Sequence, residues 1–165
     1  YLVSRTNLFK CVNIGAATVN LTSEYTALRE GNGQPNMFMF EDRQCRMGAT
    51  LWEDLDGYIA NSPLLFADKI HTPVLIFHCD QDEAVSFYDG RNLFLALRRL
   101  QRPVWMLNYM GQGHFLTSRP AEVDWTIRLQ QFFDHYLKDI PMPRWMKEGI
   151  NINERGMDQK YDLVR

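Results

Sequence analysis

Residues 72–115, TPVLIFHCDQDEAVSFYDGRNLFLALRRLQRPVWMLNYMGQGHF, restrict the folds open to this chain more than any other stretch. Two short apolar runs, Val74–Phe77 and Val104–Leu107, are β-branched or aromatic in character and bounded by Pro and polar residues. This is how strands buried on both faces of a parallel sheet look. Between them Leu93, Leu97 and Leu100 recur at steps of four and three. The spacing predicts a helix over residues 87–100 with one buried stripe, and it puts Arg98 and Arg99 where cations favour the helix dipole. Strand, helix, strand is the unit of a parallel α/β sheet. Each strand then enters a loop carrying a titratable residue, Asp82 after the first and His114 after the second. Ligands of open α/β sheets bind at the carboxyl ends of strands, so both residues are expected at one rim.

The flanking sequence is read around that unit. Residues 1–6 look like the end of a helix, and residues 11–17 (CVNIGAA) like a third buried strand with small residues at its end. Residues 20–30 suggest a short helix, and 30–36 (EGNGQPN) a turn in which Gly and Asn supply positive φ. The Met and Phe residues of MFMFEDRQCRMG predict a lid or a packing face. Residues 52–61 are read as helical, and 64–70 as a short apolar segment before the first strand. A last helix starts near Ser118, with Pro120 in its first turn, Glu122 and Asp124 near its N-terminus, and a stripe of Trp125, Leu129, Phe132 and Tyr136. Residues 1–150 are thus assigned to one domain, and the polar residues 151–165 to a tail expected to fray.

Charge and composition remove several function classes. The formal net charge is −2 and the basic residues are scattered, which argues against a nucleic-acid partner. With 45% apolar residues, a mean hydropathy of −0.34 and no long apolar run, a globular chain without a membrane span is expected. Cys11, Cys45 and Cys79 lack any CxxC spacing, and no His or carboxylate cluster has metal-ligand spacing, so neither a metal nor a cofactor is expected. No glycine-rich motif could cradle a phosphate.

A hydrolase of the Ser, His, acid type needs an imidazole to take the nucleophile's proton and a carboxylate to fix its tautomer. Asp82 and His114 occur in the order acid then His used by α/β-hydrolases, with Gly111 and Gly113 giving the His loop its freedom. Asp80 and Glu83 compete with Asp82 for the role of the acid. His71, His78 and His135 are placed by position in a loop, at a strand end and on a helix. None of Ser4, Ser23, Ser62, Ser86 and Ser118 has the flanking glycines of a G-x-S-x-G elbow, so the nucleophile is missing from the sequence.

The text from His78 to Phe115 resembles the C-terminal part of the catalytic domain of the prolyl oligopeptidase family. These are serine peptidases with an α/β-hydrolase domain, usually preceded by a β-propeller. The matching residues are His78, Asp82, Val85 and His114; YLVSRTNLFKCVNIGAA and MPRWMKEGI are similar as well. The resemblance implies that this chain is the C-terminal half of an α/β-hydrolase domain, a mostly parallel sheet with flanking helices. It makes Asp82 and His114 members of a Ser-Asp-His triad, and expects the serine upstream of Tyr1. A chain starting there would be inactive alone, would need the missing N-terminal part of its own polypeptide as partner, and would leave at least one sheet edge open. Val19, Tyr25 and Val85 fall where relatives line the pocket for the residue before the scissile bond, implying a slot for Pro or Ala in a peptide substrate. Cys79 replaces a usual Gly, and Ala84 an Asn of dipeptidyl-peptidase-like members. By the same analogy the protein is periplasmic or secreted, and an oligomer is compatible with it. An acyl-ester hydrolase and a non-catalytic binding module on the same fold are the competing readings.

Overall fold

The computed structural model describes residues 1–164 and divides into two compact units, residues 1–116 and the described residues from 117 onward. In chain order the first holds β1 (Val12–Gly15), α1 (Leu21–Glu24), β2 (Leu28–Arg29), β3 (Gln34–Pro35), α2 (Met37–Glu41), α3 (Leu55–Ala60), β4 (Val74–Phe77), α4 (Phe87–Arg99) and β5 (Val104–Leu107). The second holds α5 (Arg119–Lys138) and α6 (Arg144–Glu148). Three 3-10 turns, Leu2–Ser4, Pro63–Lys69 and Ile152–Glu154, complete the order.

Both strands predicted from residues 72–115 form where expected, and β1 joins them in a parallel sheet of order β1-β4-β5. Gly15, Phe77 and Leu107 are in register, so all three strands end at one rim. Val74, Leu75 and Ile76 are completely buried, as the uninterrupted apolar run of a central strand requires. One face of the sheet packs on Leu93 and Leu97 of α4, with Val3, Val19, Ala67 and Ile70 in the same core. Among the described residues β1 and β5 each pair with one strand only, which leaves both edges of the sheet open.

Several local expectations are corrected. Leu100, expected in the buried stripe, is instead the C-cap of α4 and is 38% exposed, because the helix ends one residue earlier. Of residues 20–30 only Leu21–Glu24 is helical; the chain then turns into the β2–β3 hairpin, with Gly33 at a φ of 68°. Residues 1–6 hold a single 3-10 turn. The Met and Phe cluster forms α2, whose Phe40 packs with Leu21, Tyr25 and Tyr58 in a second apolar core.

The tail expected to fray is pinned within the second unit. Arg128 of α5 is buried, paired with Asp124 at 2.8 Å and lying between the rings of Trp145 and Tyr161. Gln159 offers it a backbone carbonyl at 3.2 Å. Lys160 bonds Glu154 and the Gly149 carbonyl, and Leu163 bridges Pro143. The segment is polar because it supplies partners to a buried cation, a role that composition does not reveal. No described helix is long and apolar enough to cross a membrane.

Candidate active site

The site is built from the two loops that leave β4 and β5. After Phe77 the chain continues through His78 and Cys79 to Asp82, whose Oδ1 accepts from the N–H groups of Ala84 and Val85, both at 2.9 Å. These two bonds close the loop on its own carboxylate, an Asx-type turn that fixes where the side chain points. Ser86 then caps α4, its hydroxyl accepting from the Tyr88 N–H. The loop after β5 is tied to the first by hydrogen bonds that include one from the Gly111 N–H to Asp80 Oδ1 at 2.7 Å and one from the Gln81 N–H to the Gln112 carbonyl at 3.2 Å. Gly111, at a φ of 75°, lets the second loop turn back at that point.

The result brings His114 against Asp82, with Nδ1 at 2.9 Å from Oδ2 and 3.1 Å from Oδ1. Of the three carboxylates that competed for this position, Asp80 is engaged with the Gly111 amide, and Glu83 is exposed beside Gly31 and Gly113. The Asp82 side chain is 1% exposed while that of His114 is 30% exposed. A buried carboxylate thus holds one nitrogen of an imidazole that remains open to solvent.

Burial by itself would raise the pKa of Asp82. Hydrogen bonds from His78, the Val85 N–H, His114 and the Ala84 N–H outweigh it and hold the group well below the usual carboxylate range. It is therefore an anion throughout the neutral range. His78 is completely buried behind it, with Nε2 at 3.1 Å from the Val85 carbonyl and 3.5 Å from Asp82 Oδ2. Cys79 is also buried, which together with the charges of Asp82 and Asp80 pushes its thiol up to about 11, so it is no nucleophile at neutral pH. Its φ is not positive, so the position makes no demand for Gly.

Of the three residues assigned to a pocket, Val85 lies in the Asp82 turn itself. Val19 lies in the main core, and its N–H donates to Asp89 Oδ2 at 2.6 Å. Tyr25 is buried in the second core, edge-on to Trp52 and Tyr58, with its hydroxyl bonded to Glu41. Two further carboxyls, Glu24 and Asp89, are buried, and Asp89 accepts from the Val19 and Asn20 N–H groups; sequence reasoning passed over both, since each is one polar position in a short or ordinary helix. Among the described residues no group of three His, Cys, Asp or Glu is placed to hold a metal ion.

The family model described as the prolyl oligopeptidase family matches residues 1–139. Dipeptidyl-peptidase 5 of Porphyromonas endodontalis is 30% identical over 134 residues, which is 79% of this chain and 18% of that protein. The chain therefore spans less than a fifth of the length of that curated relative. A puromycin-hydrolyzing peptidase of Mycobacterium tuberculosis superposes with a TM-score of 0.69 at 22% identity, over 82% of this chain and 19% of the other. The acylaminoacyl peptidase of Pyrococcus horikoshii does so with a TM-score of 0.70 at 18% identity, over 82% and 21%. These likenesses assign the parallel sheet and its flanking helices to the α/β-hydrolase fold.

Proposed function

The chain belongs to the prolyl oligopeptidase family, and from that membership we propose that the complete protein is a serine-type peptidase of short peptides in which Asp82 and His114 serve as acid and base. The observation that carries the reading is the 2.9 Å contact between a buried, ionised carboxylate and a partly exposed imidazole on adjacent strand-end loops. With Nδ1 directed at Asp82, the opposite nitrogen of His114 is the one that would take a proton from a serine hydroxyl and return it to the leaving amine. The Asp82 anion would stabilise the imidazolium formed in between. The serine, absent from this sequence as a G-x-S-x-G elbow, would come from another part of the polypeptide, as would the N–H that follows it in the oxyanion hole.

Preference for Pro or Ala before the scissile bond, through Val19, Tyr25 and Val85, belongs to the same proposal; the apolar character of all three supports it. Export to the periplasm or beyond is a separate part of the proposal, which cell fractionation tests. The decisive experiment uses the full-length polypeptide, a chromogenic peptide and its matched ester. Asp82→Asn, which keeps an acceptor for the Ala84 and Val85 amides, and His114→Ala should each lower kcat by a factor on the order of 10⁴ with the fold intact. Near-normal turnover by either variant removes that residue from the reaction, and cleavage of the ester with no measurable cleavage of the peptide moves the protein to the esterases.

A further inference from the structure

His78 follows β4 at the rim of the sheet, a completely buried position beside an apolar strand that an apolar residue would suit. An imidazole stands there instead. Its Nε2 lies 3.1 Å from the Val85 carbonyl and 3.5 Å from Asp82 Oδ2. Both neighbours are acceptors, so Nε2 is the nitrogen that carries a hydrogen, bonded to the carbonyl and close enough for its dipole to act on the carboxylate. Nδ1 has no hydrogen-bond partner among the described residues. It lies against Gly90, where an added Cβ would come within 2.5 Å of it, and Phe87 bounds the ring edge-on with centroids 5.7 Å apart. A buried nitrogen without a partner weakens the fold, so the imidazole is explained by what its other nitrogen does.

Asp82 Oδ2 is the oxygen that His114 Nδ1 approaches at 2.9 Å, so it stands between two imidazoles, one partly exposed and one buried. Oδ1 is occupied by the amides of Ala84 and Val85. Val85 is thereby held at both ends, its N–H by the carboxylate and its carbonyl by His78. Asp82, Val85 and His78 form a closed ring of contacts behind the exposed imidazole. We propose that His78 is a positioning residue for the reaction: bonded to the Val85 carbonyl, its Nε2–H anchors the acid-bearing turn to the end of β4 and keeps Asp82 Oδ2 aimed at His114. Being completely buried, it acts only through Asp82. Without this donor the turn loses its anchor, and the carboxylate gains freedom to rotate away from His114 Nδ1. The first turn of α4 holds the ring in place, since Gly90 leaves room for it and Phe87 limits its movement.

This inference rests on the reading of Asp82 and His114 as acid and base, and its test tells the two failures apart. In the full-length polypeptide, kcat and KM for a short chromogenic peptide are measured for His78→Leu, which fills a similar space without a donor, and for His78→Gln, whose amide N–H restores one. His78→Leu should lower kcat by about 10- to 100-fold with KM within about twofold, as misplacement of a catalytic pair does. His78→Gln should recover most of that loss. A side chain that merely fills space predicts the opposite order, with Leu serving at least as well as Gln. Made on His114→Ala, the Leu substitution should cost less than about twofold further, because groups that act as a unit are not additive. Should His78→Leu not fold, Gly90→Ala keeps the imidazole but displaces it, and should lower kcat with KM unchanged. Near-normal kcat in the Leu or the Gly90→Ala variant, a Gln variant no better than Leu, or a fully multiplied loss in the double variant overturns the role of His78 while the acid and base stand. Near-normal turnover by His114→Ala overturns the acid and base reading, and the positioning role falls with it.

Discussion

Asp82 does two things with one carboxylate: it folds its own loop through the Ala84 and Val85 amides and it orients His114. Because its folded-state pKa lies below that of the unfolded chain, about 3.9 for an ordinary Asp, the unfolded state binds the extra proton in acid. Stability from this group is therefore fully present above about pH 4 and is lost as the pH falls below that value. Urea denaturation of wild type and Asp82→Asn should show the two stabilities converging between pH 5 and 2, with the wild type more stable only at the upper end. Glu24 works in the opposite direction. Its raised folded-state value means that the native state holds a proton the unfolded chain has released, so stability declines as pH rises from about 4.5 to about 7. Glu24→Gln should remove that decline, measured in the same way.

Helix α4 is the element on which the proposed site depends. Its apolar side, Leu93 and Leu97, is anchored in the core of the sheet, while its first turn carries Asp89 and closes over His78. Contact is so close at Gly90 that a Cβ there would lie 2.5 Å from His78 Nδ1 and 3.1 Å from its Cβ. Gly90→Ala should therefore cost about 1–3 kcal/mol by overpacking, despite the higher helix propensity of Ala, and should lower kcat by displacing His78 from behind Asp82. Leu97→Ala, far from the rim, should cost about 2–5 kcal/mol in thermal or chemical denaturation while leaving KM unchanged. The periodicity of this helix was legible in the sequence up to its last residue; Leu100 misled because a C-cap lies outside the helical repeat.

On the scale of the molecule, two units divide the work. The first holds a sheet with both edges open among the described residues, and unpaired strand edges invite association. Produced alone, the 165-residue chain should self-associate, with an elution volume in size exclusion that shifts with concentration; a concentration-independent monomer would count against strand pairing as the use of those edges. The second unit is organised around a buried guanidinium. Asp124→Ala leaves Arg128 without its carboxylate and should cost that unit about 3–5 kcal/mol, read by urea denaturation. Arg144→Ala, whose partners Glu148, Asp158 and Asp162 are all exposed to half or nearly so, should cost less than about 1 kcal/mol per pair.

Local pattern alone carried the strands β4 and β5, the helix between them, the loops that hold Asp82 and His114, and the lack of a nucleophile elbow. A buried parallel strand and an amphipathic helix write themselves into short-range periodicity, and the rim follows from topology. What sequence left open was decided by contacts between residues far apart in the chain. Asp82 rather than Asp80 faces the imidazole because Asp80 is taken by the Gly111 amide, across 31 positions. The polar tail folds back because Arg128 needs partners, and Asp89 reaches the Val19 and Asn20 amides only when the start of α4 meets the segment before α1. Hydrogen bonds and charge pairs of this kind depend on distance in space, for which the order of residues keeps no record.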